Sequence, residues 1–129
     1  MGRPAVITIA CAVALGTGAG VANATGPPPA PPPCSFTLST PARDGDVVTA
    51  TVQSSGCAAL AAPYSAVACL GSTVGPTRCE QAQGADPARV SVPYEPGVTF
   101  VATGRGCAGW VGLSPAPDCQ PLGPNSATP

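Results

Sequence analysis

The 129-residue chain contains no histidine and no lysine. Without His, neither a Ser-His nor a Cys-His nucleophile pair can be assembled, and without Lys there is no Schiff base and no Ser-Lys dyad. Isoleucine occurs only at Ile7 and Ile9. Lys and Ile have AT-rich codons whereas the abundant Ala, Gly and Pro have GC-rich ones, so the composition points to a GC-rich, bacterial genome. Charge is sparse, and the few Arg are scattered. No basic stripe exists for nucleic acid and no polybasic patch for anionic lipid, which excludes both as partners. Cys-x-x-Cys is absent, so a thioredoxin-type redox pair is excluded. The closest cysteines, Cys69 and Cys79, stand ten residues apart, a spacing foreign to zinc clips, so no metal and no cofactor is expected.

What is present begins with "MGRPAVITIACAVALGTGAGVANA": one Arg, an apolar run from Ala5 to about Leu15, small residues, and an A-x-A ending at Ala22-Asn23-Ala24. This is the pattern of a secretory signal peptide over residues 1–24, cleaved after Ala24. The rival is lipidation at Cys11 after Thr8-Ile9-Ala10, but the apolar run ahead of it is only about six residues, against a usual 7–15. No later segment reaches the length of a membrane helix, so no membrane anchor is expected and the mature chain should be secreted. Residues 25–33, "TGPPPAPPP", can form neither helix nor ladder and read as an extended polyproline stalk of roughly 25 Å. A ligand for a proline-reading domain is the alternative. Four Arg and six acids then remain, a formal charge of minus two.

Cleavage leaves six cysteines, Cys34, Cys57, Cys69, Cys79, Cys107 and Cys119, which in an exported chain form a disulfide framework. Residues 34–129 alternate with period two. "CSFTLS" sets Cys34, Phe36 and Leu38 on one face, and "DVVTATV" sets Val48, Ala50 and Val52 against Thr49 and Thr51. Between them "ARDGD" carries the hairpin signal Asp44-Gly45. Further strands are expected at 64–70, 77–82, 88–94 and 98–104, with a last edge strand at 119–128 weakened by Pro121 and Pro124. The predicted fold is all-β: a small immunoglobulin-like β-sandwich of about seven strands stapled by three disulfides. In this layout the sequential pairs Cys34–Cys57, Cys69–Cys79 and Cys107–Cys119 are favoured, with Cys57–Cys107 across the sandwich as the main competitor. With only two Phe, two Tyr and one Trp to fill a core, the staples should carry much of the stability.

Six carboxylates are the remaining catalytic candidates. Asp44 and Asp46 share a tight turn and Glu80, Asp86, Glu95 and Asp118 are isolated, so turn-forming roles at Asp44, Asp86-Pro87 and Glu95-Pro96-Gly97 read better than a glycosidase pair. Two residues are candidate binding groups. Arg105, between Gly104 and Gly106, would offer a guanidinium to a carboxylate, phosphate or glycan acid at a loop mouth; alternatively the glycines only shape a turn. Trp110 is an interface anchor if exposed, and otherwise caps a core short of aromatics, the reading preferred. The expected function is a secreted, non-catalytic binding or display module for an extracellular protein or glycan. Its alternative is a carrier of a small apolar ligand in a sheet-face cleft, and a carboxylate-based hydrolase is the third reading.

The succession "FTLS", "VTATV", "VACL", "RCEQ", "PGVTFVATGRGC" and "CQPLGP" resembles small exported six-cysteine actinobacterial proteins over nearly the whole mature domain. More loosely, the layout is similar to the neocarzinostatin-type chromoprotein fold, an immunoglobulin-like sandwich whose first disulfide joins cysteines ten apart. That resemblance implies an apolar ligand held by loops and one sheet face. The third cysteine pair, the proline stalk and the scarcity of aromatics depart from it.

Overall fold

A computed structural model describes Gly2, residues 31–112 and residues 118–129. The strands formed by the described residues all lie within Pro31–Pro129. The expected signal peptide and its cleavage site, Cys11, and residues 25–30 of the proline segment lie outside the described residues.

Among the described residues there are eight strands rather than seven: β1 (Cys34–Leu38), β2 (Ala42–Asp44), β3 (Val47–Cys57), β4 (Ala61–Ser72), β5 (Arg78–Gln83), β6 (Ala88–Pro93), β7 (Phe100–Trp110) and β8 (Asp118–Ala127). They form two four-stranded antiparallel sheets. In the first, β3 is central. Val52 lies opposite both Leu38 of β1 and Ala88 of β6, and Thr49 opposite both Ala42 of β2 and Ser91 of β6. Strands β1 and β2 therefore occupy the same edge of β3, as one edge ribbon broken at residues 39–41. Pro41 explains the break, since it has no N–H to donate to the ladder. The extra strand arises because the hairpin turns on Gly45-Asp46, with Gly45 at φ 62 in the position a type II′ turn reserves for glycine. Ala42-Arg43-Asp44 is thereby freed to pair.

The second sheet has the order β5-β4-β7-β8. Strand β8 tolerates Pro121 and Pro124 because it is an edge. Gly123-Pro124 oppose the single residue Thr103, a bulge between Ala102 and Gly104 in the pairing, and Gly123 takes φ 82 to form it. The core lies between the sheets: Phe36, Val48, Val52 and Val90 from the first meet Ala66, Ala68, Leu70, Phe100 and Ala102 from the second. Period-two alternation of β-branched and small residues delivers these side chains to one face of each strand.

Three disulfides join Cys34–Cys57, Cys69–Cys79 and Cys107–Cys119, the sequential arrangement. Each links directly opposed residues of neighbouring strands, with a Cα–Cα separation of 4.0 Å. Direct opposition in an antiparallel ladder supplies the close approach that a cross-strand bridge needs. Cys107 and Cys119 thus sit within β7 and β8 rather than at the mouth of the following loop. Among the described residues no helix is long and apolar enough to cross a membrane.

Candidate functional site

Arg105 is not at a loop mouth. It sits in the middle of β7, opposite Val67 of β4 and Pro121 of β8, with its side chain exposed on the outer face of the second sheet. Its flanking glycines do not make a turn. They face the core, where a Cβ on Gly104 would strike Val52 and a Cβ on Gly106 would fall inside the Phe36 ring. The glycines let the two sheets approach, and alternation then sends Arg105 outward.

Around Arg105 the outer face forms a shallow recess of about 430 Å³, lined by Tyr64, Val67, Gln81 and the Cys107–Cys119 bridge. Tyr64 reaches it through a second bulge. Strict alternation would place Tyr64 with Ala66, Ala68 and Leu70, facing inward. Pro63 pairs Ala108 and Ser65 pairs Cys107, so Tyr64 is the extra residue, and its ring is turned out with 59% exposure. A phenol with an apolar face, a guanidinium and an amide therefore share one surface over a rigid, disulfide-braced sheet. Among the described residues Arg105 has no ion-pair partner, whereas Arg89 binds Asp44 at 3.2 Å and Arg43 lies over the Tyr94 ring. The recess offers one cation and hydrogen-bonding groups beside apolar surface. Its lining holds no acid–base pair.

Trp110 is not brought to this recess. It ends β7 opposite Ala61, five residues from Arg105 and hence on the other side of the strand. Nor does it cap the core: it is 38% exposed, beside the more exposed Leu60 and Val111. β7 runs on past the Cys107–Cys119 bridge, and its last residues therefore lie at the end of the sandwich. Val111 N–H donates to the Leu60 carbonyl at 2.7 Å, and Leu60 holds a left-handed φ of 65. Leu113, three residues after Trp110, lies outside the described residues.

Among the other recesses formed by described residues are two on different parts of the sandwich. One, on the outer face of the first sheet, is lined by polar residues including Arg89, which is already bound to Asp44. The other opens between the edges of the two sheets, beside the β4–β5 turn. Among the described residues no group of three or more Cys, Asp or Glu is placed to hold a metal ion. No protein-family model, curated protein or solved structure matches the chain.

Proposed function

We propose that the chain is an exported, non-catalytic binding module that receives its partner on the outer face of β5-β4-β7-β8. The observation that carries this reading is Arg105, which has no ion-pair partner among the described residues and stands at the centre of a face where bulged Tyr64 and Val67 supply apolar contact. An exposed guanidinium beside an aromatic ring suits a planar anion, so the partner is an extracellular protein or glycan that presents a carboxylate or phosphate. A fold of immunoglobulin-like type fits the arrangement. With β1 and β2 taken as one broken ribbon, three strands in the order β1/β2-β3-β6 pack on four in the order β5-β4-β7-β8. A proline spacer ahead of Cys34 would hold such a face clear of whatever carries the N-terminus. The reading is non-catalytic because the chain supplies no His and no Lys, and Asp44 is engaged with Arg89.

The second reading, a carrier of a small apolar ligand, is favoured by the same recess. Its volume of about 430 Å³ falls within the range of small-molecule sites, roughly 300–1,000 Å³. Native and denatured intact masses of protein from culture supernatant separate the two. A native mass equal to the denatured one supports the display module. A dissociable small molecule, lost when Arg105→Gln is introduced, would put the carrier first, and binding of acidic oligosaccharide unchanged in Arg105→Gln would sink the role given to that residue.

A further inference from the structure

Side-chain hydrogen bonds lace the sandwich along one side. On the laced side β8 faces β1, where the Gln120 side-chain amide donates to the Cys34 carbonyl at 2.8 Å and that of Asn125 to the Leu38 carbonyl at 3.0 Å. On the other side β5 faces β6, and near the β4–β5 turn these edges part over a cleft of about 310 Å³. Val74 and Pro76 of the turn, Val92 of β6 and the almost wholly buried Phe100 give it an apolar lining.

Two charges stand in this lining. Arg78 lies opposite core-facing Leu70, and on the edge strand β5 that inward face opens into the cleft. Glu95 comes from the turn Glu95-Pro96-Gly97-Val98, in which Val98 N–H donates to the Glu95 carbonyl at 3.4 Å. Pro96 at the second position and Gly97 at φ 73 in the third fit a type II turn. Among the described residues neither Arg78 nor Glu95 forms an ion pair, with each other or with any other group. The Cys69–Cys79 bridge fixes the hairpin carrying Arg78 one residue away from it.

We propose that this cleft is a binding site, separate from the Arg105 face, for a small zwitterion with an apolar body: a molecule of the class of a free aliphatic or aromatic α-amino acid. The charges decide the class. A purely apolar ligand would strip water from both Arg78 and Glu95 and compensate neither. An anion would satisfy Arg78 but face Glu95 as a like charge, and a cation would do the reverse. Only a ligand carrying both charges pairs both groups while its side chain rests on Val74 and Val92. The cleft lies at the lower end of the size range for small-molecule sites, which suits one such molecule rather than a polycyclic ligand or an acyl chain. Its preformed walls, one turn and one disulfide-closed hairpin, keep the ordering cost of binding low.

The test is a titration of the full exported protein, disulfides intact, followed by amide chemical shifts. The probes are L-phenylalanine, phenethylamine (which lacks the carboxylate) and 3-phenylpropionate (which lacks the ammonium). Saturating shifts are expected at Val74, Arg78, Val92 and Gly97 with L-phenylalanine, and about three- to tenfold weaker binding of either single-charge analogue. Arg78→Gln should abolish the preference for L-phenylalanine over phenethylamine, and Glu95→Gln the preference over 3-phenylpropionate. Both side chains are exposed, so the variants should fold, and the spectra themselves report it. Arg105→Gln should leave these affinities unchanged, which keeps the cleft distinguishable from the outer face. Equal binding of all three probes, no saturation by L-phenylalanine up to its solubility, or shifts centred on Tyr64 and Arg105 would each overturn the proposal.

Discussion

Replacing Gly106 with Ala adds one methyl group at a point of close contact between the two sheets. Its Cβ would occupy the Phe36 ring, and neither side can easily retreat. The Gly106 backbone is held between Ala66 of β4 and Gln120 of β8, and Phe36 is itself buried in β1. Overpacking of this kind costs about 1–3 kcal/mol. Against it stands the entropic advantage of Ala over Gly in the unfolded chain, about 0.4–1 kcal/mol. The overlap wins, so Gly106→Ala should destabilise by roughly 1–2 kcal/mol, which for a domain of this size lowers the melting temperature by roughly 5–15 °C. Phe36→Ala alone should cost about 3–5 kcal/mol. In the double variant the new methyl partly fills the space the ring vacates, so its cost should fall short of the sum by about 1 kcal/mol or more. Urea denaturation of the four proteins under oxidising conditions measures this directly. The reasoning fails if Gly106→Ala melts at or above the parent temperature, or if the two substitutions add within about 0.5 kcal/mol.

Reduction offers a second check. The bridges span sequence separations of 23, 10 and 12 residues, and chain entropy assigns each roughly 3 kcal/mol. The sum approaches the whole stability of a small domain, so full reduction should abolish the cooperative transition seen by circular dichroism; a reduced protein with an unchanged melting curve would refute it. Leu60→Asn should stabilise by up to about 1 kcal/mol, because Asn tolerates the left-handed backbone that Leu resists. Leu60 is 77% exposed, so little packing is lost, and a lower urea midpoint would count against the strain. Arg105→Gln should leave stability within about 0.5 kcal/mol while weakening acidic-ligand binding, the pattern of a surface group kept for contact.

The strand pattern was legible wherever alternation ran undisturbed. The Val48, Ala50, Val52 stripe and the Cys34, Phe36 stripe both became core. Four features were hidden because local alternation does not contain their causes. Ala42-Arg43-Asp44 read as turn because all three are polar or small, yet β3 extends far enough to pair with them once the turn settles on Gly45-Asp46. Gly104 and Gly106 read as loop glycines, but what requires them is Val52 and Phe36, more than fifty residues earlier. Tyr64 carries the phase of a core residue, and only the bulge against Ala108 and Cys107 turns it out. Arg78 and Glu95 meet at one cleft because β5 and β6 edge different sheets, a relation no local window contains. The bulge at Tyr64 had one available signal, Pro63, since a proline inside a strand marks an edge or an irregularity.

The division of labour among the staples accounts for how this chain can leave charges without ion-pair partners. An inner face built largely of Ala, Gly and Val draws the sheets together but buries little area, and the three cross-strand bridges supply what the core lacks. Two of them, Cys34–Cys57 and Cys107–Cys119, lie at the end where Pro33 enters the domain, joined through Gln120 and the Cys34 carbonyl. The third holds the hairpin near the opposite end, beside the cleft of Arg78 and Glu95. Of the four Arg in the domain, Arg43 and Arg89 brace the corner of β2, β6 and Tyr94, while Arg78 and Arg105 each stand in a recess without an ion-pair partner among the described residues. Exposed charges of this kind contribute little to folding. Stability held in covalent links would leave Arg78 and Arg105 available for the recognition proposed at their two surfaces. Losing either should cost binding at its own surface and leave the other surface and the fold intact.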